Sequence, residues 1–194
     1  MSDVYFTSDW HLGHRNITKY RTVFKTEEQH AEFILKSYLS TIRRNDVIWF
    51  LGDICFTDDY IEHVAALPGR KRLVMGNHEL ERGNDWERYL RVFDRVYGMA
   101  KYKGFWLTHC PIHPKELRGK YNIHGHTHET NIDDGRYYNV SLDQGQVLFS
   151  LNEIRTYFEI VNNFSQSKSG TAIKMPEHDL FLNNDGTLEK VKEV

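Results

Sequence analysis

The stretch VYFTSDWHLGH at residues 4–14 decides how this chain is read. Val4 to Phe6 form a short apolar run with the character of a buried strand, and Asp9 and His11 follow its end directly, with Gly13 and His14 behind them. Working outward, the same pattern recurs. VIWFL at 47–51 is followed by Gly52-Asp53, RLVM at 72–75 by Gly76-Asn77-His78, FWLT at 105–108 by His109, and YNI at 121–123 by His124-Gly125-His126-Thr127-His128. Each polar set lies just past the carboxyl end of an apolar run, which is where open α/β sheets build their sites. Glycine directly before the key residue in three of the sets permits a tight turn and a close backbone approach. Asp9 and His11, two apart at a strand end, are expected to face one way from extended backbone.

Helical patterns fill the intervals. Thr26-Glu-Glu-Gln29 is a capping box opening a helix through Ala31, Ile34, Leu35, Tyr38 and Ile42. Thr57 with Asp58 and Asp59 caps a second, carrying Ile61, Val64, Ala65 and Leu67 and ended by Pro68-Gly69. Asn84 starts a third through Trp86, Tyr89, Leu90 and Phe93. Tyr137–Leu142 reads as a late strand, and Ser150-Leu-Asn-Glu153 as a second capping box before Ile154, Tyr157, Phe158 and Val161. This alternation predicts α/β layers. With 194 residues, 40% of them hydrophobic, the chain has material for one core. We place that domain at 1–162 and read 163–194 as a peripheral, polar tail, in which HDLFLNNDGTLEKV forms a hairpin around Asn184-Asp185-Gly186.

A net charge of −2 lacks the basic excess that stable duplex nucleic acid binding requires. Cys55 and Cys110 stand too far apart for a thiolate zinc cluster and form no disulfide framework, which fits a reducing cytoplasm. No signal-peptide pattern precedes Val4, and no apolar run is long enough to span a bilayer. Histidine is the outlier: His11, His14, His78, His109, His113, His124, His126 and His128 fall in four short stretches. If the strand-end loops converge, Asp9, His11, Asp53, Asn77, His109, His126 and His128 form a mixed nitrogen and oxygen set. It suits Mn²⁺, Fe or Zn²⁺ better than Mg²⁺ or Ca²⁺. Seven donors exceed one tetrahedral ion but suit two ions about 3.5–4 Å apart sharing one carboxylate. Such a centre keeps about one net positive charge and so attracts a phosphoryl group.

In this order, D-x-H at 9–11, G-D at 52–53, G-N-H-E at 76–79, His109 and G-H-T-H at 125–128 resemble the five motifs of the calcineurin-like metallophosphoesterases, especially small single-domain bacterial and phage members. The resemblance spans about residues 4–155. It implies two mixed β-sheets packed as a sandwich flanked by α-helices. It also implies that Asp9, His11 and His128 hold one divalent metal, that Asn77, His109 and His126 hold a second, and that Asp53 bridges them. Mn²⁺ is the expected ion, with Fe, Zn²⁺ and Ni²⁺ as alternatives. A metal-bridging hydroxide would attack phosphorus, Asn77 would help stabilise its oxygens, and His78 would protonate the leaving oxygen. Glu79, where many relatives carry Asp, would orient His78.

His14, Arg15 and Asn16, in the loop after the first motif, and His113 are candidates for contacting the substrate. The expected substrate is a small phosphodiester, of a nucleotide or cyclic nucleotide, with monoesters also accepted. A single-strand nuclease is the alternative within enzymes, but it needs a basic, aromatic-lined track. A non-catalytic scaffold on the same fold is the alternative outside them.

Simpler roles fit the remaining residues. His30, His63 and His178 read as surface or hydrogen-bonded, His124 as a packing residue, and Cys110 as a small buried side chain. Gly69-Arg-Lys-Arg72 leads into a strand whose far end carries Asn77, so it should lie about 15 Å from the metals on a solvated face. Arg15, Arg82, Lys115, Arg118 and Lys120 read as loop cations on the metal side.

Overall fold

A computed structural model describes residues 2–79, 81, 86–166, 180–182 and 188–190. Strands β1 (Val4–Thr7), β2 (Val47–Phe50), β3 (Arg70–Val74) and β4 (Arg95–Tyr97) run parallel in one sheet. The second sheet holds β5 (Ala100–Tyr102), β6 (Phe105–Leu107), β7 (Tyr121–His124) and β8 (Tyr137–Asn139) in that order, with β5 antiparallel to β6 and the rest parallel. β9 (Phe149–Ser150) returns antiparallel beside β1, giving the first sheet the order β4-β3-β2-β1-β9. The helices are α1 (Ile17–Tyr20), α2 (Glu27–Thr41), α3 (Asp58–Ala66), α4 (Trp86–Val92) and α5 (Leu151–Gln166).

β2 explains the layering. All four of its residues are buried, which requires cover on both faces. Ile48 and Phe50 pack with Ile34 and Tyr38 of α2 and Ile61 and Val64 of α3. Val47, Trp49 and Leu51 pack instead with Leu107 and Ile123 of the second sheet and with Val140 just past β8, where Ile154 and Phe158 of α5 join them. The result is the two-sheet sandwich flanked by helices that the resemblance implied. The first capping box forms by half and the second in full. Thr26 Oγ1 accepts from Gln29 N at 3.2 Å, although Gln29 Oε1 accepts from Lys25 N rather than from Thr26 N. Ser150 and Glu153 cap each other at 3.1 and 3.4 Å.

The structure departs from the sequence reading in several places. β4, β5 and β9 have only two or three residues, too few to carry a period. The strand expected over Tyr137–Leu142 stops at Asn139, and Leu142 opens a 3₁₀ turn. Leu90, expected on the buried face of α4, is 49% exposed, and Asn84 lies outside the described residues. β10 (Leu180–Leu182) pairs antiparallel with β11 (Leu188–Lys190), while the turn around Asn184-Asp185-Gly186 lies outside the described residues. α5 runs on through Gln166. The basic run is a solvated face only in part: Arg70 is exposed, but Lys71 is buried with Nζ on Leu67 O, and the Arg72 guanidinium sits 5.0 Å from the centre of the Trp49 ring. β3 lies between β2 and β4, so its side chains alternate into covered layers. Among the described residues, no helix is long and apolar enough to cross a membrane.

The two sheets meet at one edge. Leu142 N donates to Ser8 O at 3.1 Å, and Ser8 and Ser141 form a parallel bridge. The carboxyl ends of β1, β2, β3, β6 and β7 therefore open onto one place.

Candidate metal centre

The loops after β1 and β2 run side by side, with Asp9 N on Gly52 O and His11 N on Asp53 O, both at 3.0 Å. Across the sandwich, Gly125 N donates to His109 O at 2.9 Å. Asp9, His11, Asp53, His126 and His128 all have left-handed backbone, with φ of 58°, 52°, 56°, 68° and 50°. Asp9 and His11 therefore converge through left-handed turns, not through extended backbone as the sequence implied. Each such residue costs about 1 kcal/mol or more, and this density of strain marks a functional site. The glycines behave as expected. A Cβ on Gly76 would collide with the Asp53 carboxylate, and one on Gly125 with Ser8 and the Asp9 carboxylate.

The loops bring all seven expected donors together. Asp53 Oδ2 lies 3.2 Å from His109 Nε2, 3.8 Å from His78 Nε2 and 3.9 Å from His11 Nε2, and Asp53 Oδ1 accepts from His78 N at 2.9 Å. His109 Nδ1 bonds Leu51 O at 2.7 Å, which turns Nε2 toward Asn77 Oδ1 at 3.0 Å and His126 Nδ1 at 3.1 Å. Asp9 Oδ2 accepts from His126 N at 2.9 Å. Asp9 Oδ1 and His11 Nε2, 3.8 Å apart, are buried without a hydrogen-bond partner. Ligand atoms of Asp9, His11 and His128 lie within 4.8 Å of one another, as do those of Asp9, Asp53 and His109. Buried acceptors that face one another without a donor are costly, and a divalent cation satisfies them all. The donor set fits such ions.

Electrostatics agree. Burial opposes ionisation of Asp9, but its contacts with His11 and His109 outweigh it and hold the carboxyl below its ordinary range. Asp53 is held low in the same way, against burial, chiefly by His109. Burial likewise disfavours the His109 imidazolium, yet the Asp53 carboxylate pushes its pKa up to about 9. In the metal-free protein a proton on His109 takes part of a cation's place, and a metal must displace it.

Two residues outside every motif hold this arrangement. Asp143 Oδ2 bonds His128 Nδ1 at 2.7 Å, and Arg21 grips the Asp143 carboxylate through Nε and Nη2, both at 2.7 Å. Arg21 also donates to Asp9 O at 2.6 Å and Trp10 O at 3.1 Å, and its Nη1 lies 2.9 Å from His30 Nε2. Asp143 thus fixes the His128 ring with Nε2 toward Asp9 and His11, and Arg21 braces the strained backbone behind it. A signal for Asp143 was present: it follows a strand end as the motif residues do. Arg21 offered none.

Glu79 does not orient His78. Its carboxylate is fully buried and accepts from Ile54 N at 2.8 Å and Gly76 N at 2.6 Å, tying together the loops after β2 and β3. Burial and the nearby Asp53 charge push its pKa up. His78 Nδ1 instead bonds Glu81 Oε2 at 2.6 Å, while the Glu79 carboxylate is taken up by backbone amides. Cys110 is exposed rather than buried, since the chain turns outward after His109, and its sulfur lies within 4.8 Å of ligand nitrogens of His109 and His126. His30 and His63 are hydrogen-bonded, His124 is buried against Gly125 O, and His178 lies outside the described residues.

A cleft of 710 Å³ opens on His11, His78 and His128, and His14 lines its wall. Arg15 and Asn16 line, with His14, a neighbouring hollow of 300 Å³. His113 lines neither; it caps a 3₁₀ turn by accepting from Lys115 N at 3.2 Å. Arg118 pairs with Glu116, Lys120 precedes β7 and so sits at the end of the sheet away from the metal-side loops, and Arg82 lies outside the described residues.

Comparison with known proteins supplies the context for this geometry. The sequence profile of the calcineurin-like phosphoesterases matches residues 2–185. The Gene 66 protein of Mycobacterium phage L5 is 29% identical over 206 residues, covering 87% of this chain and 98% of its own. An uncharacterized protein of Methanocaldococcus jannaschii is 27% identical over 147 residues, covering 72% of this chain and 77% of its own. The crystal structure of a protein of unknown function from Aquifex aeolicus superposes with a TM-score of 0.63 at 28% identity, covering 80% of this chain and 99% of that one.

Proposed function

The chain belongs to the calcineurin-like phosphoesterase family, a metal-dependent hydrolase family, and from that premise we propose that it hydrolyses small phosphodiesters, nucleotide-like ones foremost, at a centre of two divalent cations. The observation that carries this reading is the pair of buried, unpartnered ligand atoms, Asp9 Oδ1 and His11 Nε2, beside three further donor groups around His109 Nε2. Asp9, His11 and His128 would hold one ion, Asn77, His109 and His126 the other, and Asp53 would stand between them. When bound, the pair supplies an activated water and offsets the charge on phosphoryl oxygens, and the nitrogen and oxygen donors favour Mn²⁺.

The side chains divide the remaining work. Glu81 holds the His78 ring with Nε2 toward Asp53 and the cleft, so that Nε2 is aimed to give a proton to the departing oxygen. Phe56 stacks on His11 at 5.2 Å between ring centres and lies 4.7 Å from His78, keeping water from the flanks of both imidazoles. Asn77 can donate through its amide to a bound phosphoryl oxygen. The presence of His78 together with the full ligand set favours an enzyme over a scaffold.

The test compares bis(p-nitrophenyl) phosphate with p-nitrophenyl phosphate in Mn²⁺, before and after chelation. We expect faster turnover of the diester and loss of activity on chelation, with recovery when Mn²⁺ is returned. Activity that survives both chelation and Asp53→Asn would overturn the mechanism.

A further inference from the structure

One wall of the cleft is a ladder of aromatic rings leading away from the metal centre. From His11 the ring centres step 5.2 Å to Phe56, 4.8 Å to His14 and 5.8 Å to Tyr20 at the end of α1. Tyr20 is 73% exposed, the largest exposure among the large hydrophobic side chains described. It does not end the surface. A second groove of 260 Å³ shares Tyr20 with the cleft, along with Arg21, Glu129 and Asp143, and adds the apolar side chains of Val23, Phe24, Phe33 and Leu142. The described lining of the cleft carries little charge suited to a strand of nucleic acid: it holds Lys19 with two carboxylates, Glu81 and Glu129, Arg21 is tied into Asp143, and Arg15 lies in the neighbouring hollow.

We infer that the ladder ending in Tyr20 is a subsite for a planar heteroaromatic group on the substrate, and that it selects one nucleoside-sized phosphoester over an extended strand. The inference rests on the phosphoesterase reading and deepens it. A phosphoryl group seated against His11, His78 and His128 places its ester substituent along this wall. A flat ring there covers apolar surface that is otherwise wet, and every nucleobase has a π-face to offer. A strand, by contrast, needs a run of cations to replace its counterions, and the described rim sets one against two carboxylates. Specificity thus comes from stacking near the centre and not from charge along a track.

The probes are adenosine 5′-monophosphate and ribose 5-phosphate, which share the same phosphate and sugar and differ in the base. Each is measured as a competitive inhibitor of bis(p-nitrophenyl) phosphate hydrolysis by the Mn²⁺-loaded full chain. We expect the nucleotide to inhibit about tenfold or more tightly than the sugar phosphate, the size of one base–aromatic stack. Tyr20→Ala should collapse that ratio toward one, and Tyr20→Phe should keep it, because the ring and not the hydroxyl does the stacking. A ratio near one in the wild type, a ratio untouched by Tyr20→Ala, or competition by single-stranded oligonucleotides stronger per phosphate than by the nucleotide would each overturn the subsite while leaving the phosphoesterase reading intact. If no phosphodiester is hydrolysed in any divalent metal, that reading falls and the subsite with it.

Discussion

The two halves of the proposed metal centre are built differently. The half formed by Asp9, His11 and His128 faces the cleft and is braced from behind: Asp143 holds His128, Arg21 holds Asp143 together with the Asp9 and Trp10 carbonyls, and His30 closes the set. In the half formed by Asn77, His109 and His126, no described carboxylate outside the expected ligand set holds a side chain. His109 is fixed by the Leu51 carbonyl, and His126 is exposed at the edge with Cys110 beside it. The contrast teaches that preorganisation has been concentrated where substrate enters. A ligand held by a charged network keeps its tautomer and angle before any cation arrives, while one held by a backbone carbonyl and solvent adapts more readily.

The largest effect is expected where the halves join. Asp53→Asn should weaken binding of both cations and lower turnover about 10³-fold or more, read by Mn²⁺ titration and steady-state rates. If one half keeps full affinity, Asp53 is not shared. His78→Ala should cost about 10²- to 10⁴-fold in turnover with metal stoichiometry unchanged, since His78 faces the cleft and not a ligand position; loss of a bound ion would show that it belongs to the ligand set.

Asp143→Asn tests the asymmetry itself. Its amide can donate to His128 Nδ1, which moves the ring proton to Nε2 and removes the lone pair that faces Asp9. We expect one of the two Mn²⁺ sites to weaken about 10- to 100-fold while the His109 side is kept. Equal weakening of both sites would mean that the network only supports the fold.

The smallest effect is on stability against acid. Burial and the neighbouring Arg21 push the His30 pKa down to about 3, so the folded protein binds fewer protons than the unfolded chain below about 6.5. The contribution is present above that pH and is lost as pH falls toward 3, at up to about 1.4 kcal/mol per unit. Urea unfolding of the metal-free protein at pH 7, 6 and 5 should show this slope, and His30→Gln should flatten it; an unchanged slope would place the acid sensitivity elsewhere.

Much of the site was legible in the chain because its donors are local to strand ends. Asp9, Asp53, His109 and His128 each follow an apolar run that a period can reveal, and glycine marks the places where backbone must approach a carboxylate. The strands of two or three residues were not legible, since so short a run carries no pattern. Nor was the division of work between Glu79 and Glu81, which lie two residues apart: the first accepts from the Ile54 and Gly76 amides, and the second bonds His78.

Residue type and order along the chain determined the family, the layered fold and the identity of the converging donors, because hydrophobic periodicity and ligand chemistry are properties of short segments. Tertiary structure alone decided that Asp9 and His11 meet through left-handed turns, that Arg21 reaches Asp143 from 122 positions away, and that an aromatic wall leads out of the cleft to Tyr20. Those facts depend on packing between distant segments, which folding creates and no local pattern encodes.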